Sequence, residues 1–245
     1  MLASPVVAVT EYAHPAIAEA ARRHSRVTTD PFNRTARTCA FFMAVVHGTP
    51  RERAVMCAQI NKQHAAVRGP GYAADDVELQ RWVLATFFWA VVAVHESLHG
   101  EMEEGEKDEL CRDYGVLGGV LKIPAERWFE RWVDFERYYE GVVEGMVPLD
   151  ERTRAVGSTI LWGLTWPWFV AWVPPFQRML VAHWMPERLR VEYGLEKPNP
   201  VVLWVVLTVT RWVYYGIPVI RWLGRLWLLD LMRRTAVRVE RTGKF

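Results

Sequence analysis

The segment ELQRWVLATFFWAVVAVHESLHG, residues 78–100, limits the possible folds more than any other. Between Trp82 and Val94 its one polar residue is Thr86, so a helix through it is apolar nearly all round. A helix of that kind has no solvent face and must be surrounded by other elements. Asp75 or Asp76 can cap its start, and Trp82, Val83, Thr86 and Ala90 share one face. Strand-like alternation is scarce in the rest of the chain. The expectation is therefore an all-α fold, a multi-helix bundle around this central helix. The 245 residues suit one domain, and no repeat of fixed period is visible.

The helix before it carries the most informative side chain. Thr49 and Pro50 mark its start, Thr49 as cap and Pro50 at the first helical position, and Gly69-Pro70 stops it. Cys57, Ile60, His64 and Val67 fall on one face at helical spacing, with Arg68 one turn beyond His64. A neutral imidazole on an inward face can be an ordinary hydrogen-bonded core residue, or it can be an axial metal ligand with an arginine nearby to meet a carboxylate. One helix earlier, residues 33–46, Arg34, Thr38, Phe41 and Val45 share a face, with Arg37 beside them. Polar groups on an inward face are costly unless paired. They meet each other or a ligand, or else the arginines are solvated and Thr38 bonds back to its own helix. Upstream, the chain starts irregularly, Pro15 opens a short amphipathic helix to about Arg23, and residues 30–32 turn into the Arg34 helix.

His95-Glu96-Ser97-Leu98-His99 matches the H-E-x-x-H pattern, in which two imidazoles one turn apart hold zinc and the glutamate activates water. No third histidine follows at a suitable spacing, and Glu126 and Glu130 stand in no ligand motif, so zinc hydrolysis is a rival reading only. Cys39, Cys57 and Cys111 are odd in number and widely spaced, which argues against a disulfide framework or a cysteine zinc site and for a reduced, intracellular setting. The N-terminus lacks a basic segment ahead of its short apolar run, so no cleaved signal peptide is expected. A net charge of +2 offers nothing to nucleic acid.

After the acidic, exposed residues 101–109 come two further helices, near 107–120 and from Pro124 to Glu144. Beyond residue 150 tryptophan becomes abundant. Residues 155–177 lack any formal charge and are long enough to span a bilayer, but Gly157, Gly163, Pro167 and Pro174-Pro175 favour a helix, a bend and a second short helix. The run from Val201 to Thr210 is apolar, and Arg211, Arg221 and Arg225 then alternate with Trp and Tyr. Such a mixture suits an amphipathic helix at a membrane interface or over a greasy channel, with plain aromatic core packing as the alternative.

Three segments together resemble the MpaB / rubber oxygenase (latex clearing protein) family of haem-b oxygenases. The main one runs from HPAIAEAARRHSRVTTDPFNRTARTCAFF through VVHGTPRERAVMCAQINKQHAAVRGPGY to LQRWVLATFFWA; DELCRDYGVLGGVLKIPAERWFERWVDF and MPERLRVEYGL continue it more weakly. The resemblance covers His14 to about Leu195 and, with the chain length, leads to an expected single domain over residues 1–245, with haem-binding helices in 1–150 and Trp-rich helices in 151–245 packed on them or facing a membrane. It implies haem b as cofactor and dioxygen as co-substrate. His64 would be the proximal iron ligand, followed four residues later by Arg68. Arg34 and Thr38 fall on a pocket Arg and Thr, and Thr86 on a pocket Thr of the next helix. Asn61 stands where the family has an arginine. Arg37 stands where rubber oxygenases can have an iron-capping lysine; arginine stays protonated and is a poor ligand, so that closed state is not expected here. Arg37 and Thr38 would then polarise dioxygen. Relatives carry Tyr-Glu at His95-Glu96. The implied activity is oxygenation of a hydrophobic, unsaturated isoprenoid or polyketide chain, with cleavage of a carbon–carbon double bond as the family's reaction class. The other rival is a non-catalytic haem-binding, membrane-associated protein whose iron is closed by a second protein ligand. Glu19 is the nearest upstream carboxylate on an amphipathic helix and so a candidate distal base, for which a solvated role is the simpler reading.

Overall fold

The computed structural model describes residues 3–25, 30–163 and 173–245. Among these, the chain forms α1 (Ser4–Glu11), α2 (Pro15–His24), α3 (Pro31–His47), α4 (Pro50–Ala66), α5 (Val77–His99), α6 (Glu104–Val120), α7 (Trp132–Met146), α8 (Glu151–Trp162), α9 (Val173–Trp184), α10 (Glu187–Glu192), α11 (Pro200–Gly216) and α12 (Pro218–Thr242). A 3-10 turn, Ala125–Arg127, precedes α7, and a two-stranded hairpin of β1 (Arg68–Gly69) and β2 (Tyr72–Ala73) joins α4 to α5. The fold is all-α.

The caps follow the sequence closely. Thr49 and Glu52 form a reciprocal capping box on α4, and Asp76 caps α5 by accepting from Glu78 and Leu79 N–H. Asp30 caps α3 through Asn33 N–H. After α4, Pro70 and Gly71 make the hairpin turn, and Gly71 needs its φ of +80°, which a side chain would strain.

Helix α5 is the centre of the bundle. Leu84, Ala85 and Phe88 are wholly buried on it. Around it lies an aromatic cluster: the Phe88 ring meets Phe135 at 4.6 Å, and Trp89 stacks on Tyr139 at 4.6 Å with 8° between planes. Aromatic rings bury large areas and add edge and stacking terms, so this cluster anchors α7 to α5.

Three boundaries differ from expectation. The N-terminal residues are regular: α1 packs on α5, α8 and α9 and buries Val6, Val7 and Val9. The acidic stretch is itself helical from Glu104, because Glu103 and Glu106 form a capping box there. Pro124 opens only the 3-10 turn, and α7 proper starts at Trp132, whose N–H is held by Asp108. Of residues 155–177, α8 ends at Trp162 and α9 begins at Val173; the middle lies outside the described residues. One described helix, α5, is long and apolar enough to cross a membrane, and 44% of that stretch is buried inside the bundle. The pair α11 and α12 passes the same test only jointly, and it is bent by 80°.

Candidate functional site

A cavity of about 390 Å³ lies between α1 to α5, a size typical of small-molecule and cofactor sites, which run to about 300–1,000 Å³. Its apolar wall is made by Ile17, Phe41, Phe42, Ile60, Val67, Leu79, Val83 and Phe87. Its polar wall holds Glu11, His24, Arg34, Arg37, Thr38, His64, Tyr72 and Gln80. The structure thus brings four of the expected residues, Arg34, Arg37, Thr38 and His64, to one cavity from two consecutive helices, α3 and α4, that pack on each other.

His64 sits at the end of α4, where the helix gives way to the hairpin. Burial pushes its pKa down to about 4, helped by the charge of Arg34 and opposed by Asp75. The imidazole is therefore neutral at physiological pH. Its Nδ1 lies 2.8 Å from Nε2 of Gln80, which also donates to the Ala74 carbonyl. A neutral imidazole has one donor and one acceptor nitrogen. With Nδ1 accepting from the amide, the ring proton sits on Nε2. The Oε1 of Gln80 is buried without a partner, which costs about 1–3 kcal/mol. Reversing the amide would turn Oε1 toward an Nδ1 that carries the proton and leave a lone pair on Nε2, at the expense of the bond to Ala74. Gln80 is therefore the switch that decides which nitrogen of His64 can bind anything.

Arg34 is held by a carboxylate that the sequence did not announce. Its Nη2 donates to Glu11 Oε1 at 3.2 Å, and its guanidinium lies over the Tyr12 ring at 5.2 Å. Burial raises the pKa of Glu11, and the adjacent Arg34 charge opposes that shift. Glu11 closes α1, the helix missing from the sequence reading; the signal was present in Ser4-Pro5, with proline in a first helical turn ahead of an apolar run. Arg37 donates only to its own helix, Nε to the Asn33 carbonyl at 3.3 Å, and forms no ion pair among the described residues. Thr38 donates to the Arg34 carbonyl at 3.1 Å. That is the self-bonding alternative for Thr38, which still lines the cavity.

His24 and Tyr72 fasten the site from the other side. Nε2 of His24 and the Tyr72 hydroxyl are 2.9 Å apart, tying the end of α2 to the hairpin. Neither was expected to contribute, because both lie on short or irregular segments that carry no periodic signal.

Other candidates are placed elsewhere. Arg68 pairs with Asp75 and donates to the Ala65 carbonyl, outside the cavity lining. Thr86 is buried but gives its hydroxyl to the Val83 carbonyl. Asn61 donates to the Val120 carbonyl at 3.1 Å and so ties α4 to the end of α6. Glu19 is bound by Arg22 and Arg23 on the outer face of α2. In the HESLH segment, Glu96 pairs with Lys107 at 2.7 Å and His99 bonds the Tyr215 hydroxyl at 2.6 Å. No group of three or more His, Cys, Asp or Glu is arranged to hold a metal ion among the described residues.

Residues 1–214 match the family of ER-bound oxygenase mpaB/B' and rubber oxygenase, catalytic domain. The chain belongs to this family. Its expected resemblance thus holds across nearly the whole bundle, and α12 lies entirely beyond the matched segment. Two mycobacterial relatives, the uncharacterised proteins Mb2261 of Mycobacterium bovis and Rv2237 of Mycobacterium tuberculosis, are each 29% identical over 174 residues, which is 68% of this chain and 67% of theirs. No solved structure matches the chain. The MpaB / rubber oxygenase assignment makes this an oxygenase-type catalytic domain, with the His64 cavity formed wholly by the matched residues apart from Phe245.

Proposed function

We propose that the protein is a haem-b-dependent oxygenase that uses dioxygen on a hydrophobic, unsaturated chain of isoprenoid or polyketide type, with oxidative cleavage of a carbon–carbon double bond as the reaction class. One observation carries the proposal: His64 is a neutral imidazole in the wall of a mixed polar and apolar cavity, next to two arginines. The residues present fit the group. The imidazole could serve as an iron ligand, the Arg34 and Arg37 guanidinium groups could receive carboxylates, and Gln80, whose amide nitrogen meets Nδ1 and whose oxygen has no partner, could on reversal accept from Nδ1–H and leave Nε2 free for iron. When bound, haem supplies the iron that activates dioxygen.

The chain supplies the remainder. Gln80 fixes the tautomer of His64, and Glu11 fixes Arg34. Arg37, which has no carboxylate partner among the described residues, is a cavity cation that can polarise the oxygen of the co-substrate. Thr38 can assist only by releasing the Arg34 carbonyl. Phe41, Phe42, Val83 and Phe87 give the substrate an apolar bed and exclude water. Arg68 and Thr86 have no part in this proposal, because their polar groups are committed outside the cavity.

The purified, reduced protein supplied with haem is expected to show a Soret band, which His64→Ala removes and His95→Ala leaves. A protein that takes up no haem would end this reading. A second reading is favoured by His24, the other imidazole in the cavity wall: a non-catalytic haem protein closed by two histidines. A six-coordinate low-spin spectrum, unchanged by dioxygen and abolished by His24→Ala, would select it.

A further inference from the structure

Helix α11 buries none of its residues, and every residue from 211 to 227 is exposed. Trp204, Trp212 and Trp222 are 67%, 72% and 60% exposed, and Val201, Val219 and Leu223 are each more than half exposed. Contiguous apolar surface on this scale marks an interaction site. In the first half of α11 Leu203, Val206 and Leu207 pack partly on the body while Val201, Val202, Trp204, Val205 and Val209 stay exposed, and from residue 211 exposure extends all round, so a single flat protein face would cover only part of it. A helix that is apolar all round needs an apolar medium around it.

Charge and shape identify that medium. Between residues 198 and 229 there are three arginines, Arg211, Arg221 and Arg225, and no carboxylate. None of the three is ion-paired among the described residues, and Arg221 lies over the Tyr215 ring at 5.3 Å. Tryptophan, tyrosine and arginine are the side chains that settle at the headgroup level of a bilayer. Seventeen residues of α11 reach about 26 Å, short of a hydrocarbon core about 30 Å thick. The 80° bend at residue 217 prevents α11 and α12 from acting as one straight span. Both arms are rooted in the same body: α11 rests on α5, where Tyr215 is bonded to His99, and α12 buries Met232, Ala236 and Val239 against α3 and α4. The elbow must therefore enter and leave by one face.

We propose that the α11–α12 elbow inserts its Trp-rich bend into one leaflet of an anionic bilayer, with Arg211, Arg221 and Arg225 at the lipid phosphates. This inference stands on surface residues that the His64 cavity does not use, and it holds whether or not haem binds. It also gives His99 a structural role in holding the elbow.

The test is co-sedimentation of the full chain with vesicles of phosphatidylcholine alone and of phosphatidylcholine mixed with phosphatidylserine, with brominated lipid as a tryptophan quencher. Binding is expected to favour the mixed vesicles and to weaken with salt. Replacing the three arginines together (Arg211→Gln, Arg221→Gln, Arg225→Gln) should weaken binding to the mixed vesicles by roughly a hundredfold. The pair Trp212→Ser and Trp222→Ser should lose vesicle binding and bromine quenching while the helical circular dichroism stays unchanged, because neither side chain supports the core. A chain that remains in the supernatant with both vesicles overturns the proposal, and so does a stable dimer that shields Trp212 and Trp222 from an aqueous quencher. Equal binding to neutral and anionic vesicles overturns the role given to the arginines.

Discussion

The His64 cavity and the α11–α12 elbow break the usual partition of side chains in opposite directions. In the first, charged and polar groups are drawn into an apolar interior; in the second, tryptophans and valines stand in water. Glu11 is almost fully buried, whereas Trp212 keeps 72% of its surface. Each arrangement costs free energy in the isolated chain, since burying polar groups and exposing large apolar ones are both unfavourable. The cavity partly offsets its cost from within, through Glu11 with Arg34, Gln80 with His64 and His24 with Tyr72. The elbow has no such internal compensation. Polar misplacement is corrected by direct bonds between a few atoms, but apolar misplacement is corrected only by covering area.

Substitutions can break that contrast at either end. The largest effect is expected at His64: His64→Ala should abolish haem retention outright, measured by loss of the Soret band after gel filtration. Gln80→Leu comes next. It removes the partner that sets the tautomer, and loss of a residue supporting a metal ligand weakens metal affinity by about 10–100-fold. In the unloaded protein the same change should be visible as a shift in the His64 ring-nitrogen resonances, which a merely structural role for Gln80 would leave unmoved.

Glu11→Gln leaves Arg34 charged without its counter-ion. Removing one partner of a buried pair costs about 3–5 kcal/mol; Arg34 retains 30% of its side-chain exposure, which reduces the expectation to about 2 kcal/mol, or a fall in Tm of about 4–8 °C. A fall of less than a degree would show that the pair is solvated in practice.

The pH dependence has a defined sign. His64 stays neutral in the folded chain down to about pH 4, while its ordinary value is 6.5. Between those values the unfolded chain binds more protons, so stability should fall as the pH drops through that window. This component should vanish in His64→Leu, as denaturation midpoints at a series of pH values would reveal. Haem uptake should likewise persist to about pH 5 and fail below 4, where the ring is protonated. At the small end, Trp212→Ser with Trp222→Ser should change the stability of the unbound protein by no more than about 0.5 kcal/mol. A larger loss would mean that the elbow packs against the body in solution.

How much was legible in the sequence depended on whether the signal was local. The all-α class, the central place of α5, the cap at Thr49 and the inward faces of His64 and Arg34 follow from spacing and from residues that cap or break helices, which act within a turn or two. For the arginine-bearing run after Val201 the sequence left an interfacial helix and plain core packing both open, and the exposure of residues 211–227 is a tertiary result. Tertiary structure alone decided that Glu11 meets Arg34 across 23 positions and that Gln80 meets His64 from another helix. It also placed Arg68 and Thr86, which the family resemblance assigns to the pocket, outside the lining of the His64 cavity. Helical periodicity states which side of a helix a residue occupies, but not which neighbour that side will face. The partners of a buried polar group are set by how helices cross, and that depends on the packing of the whole bundle.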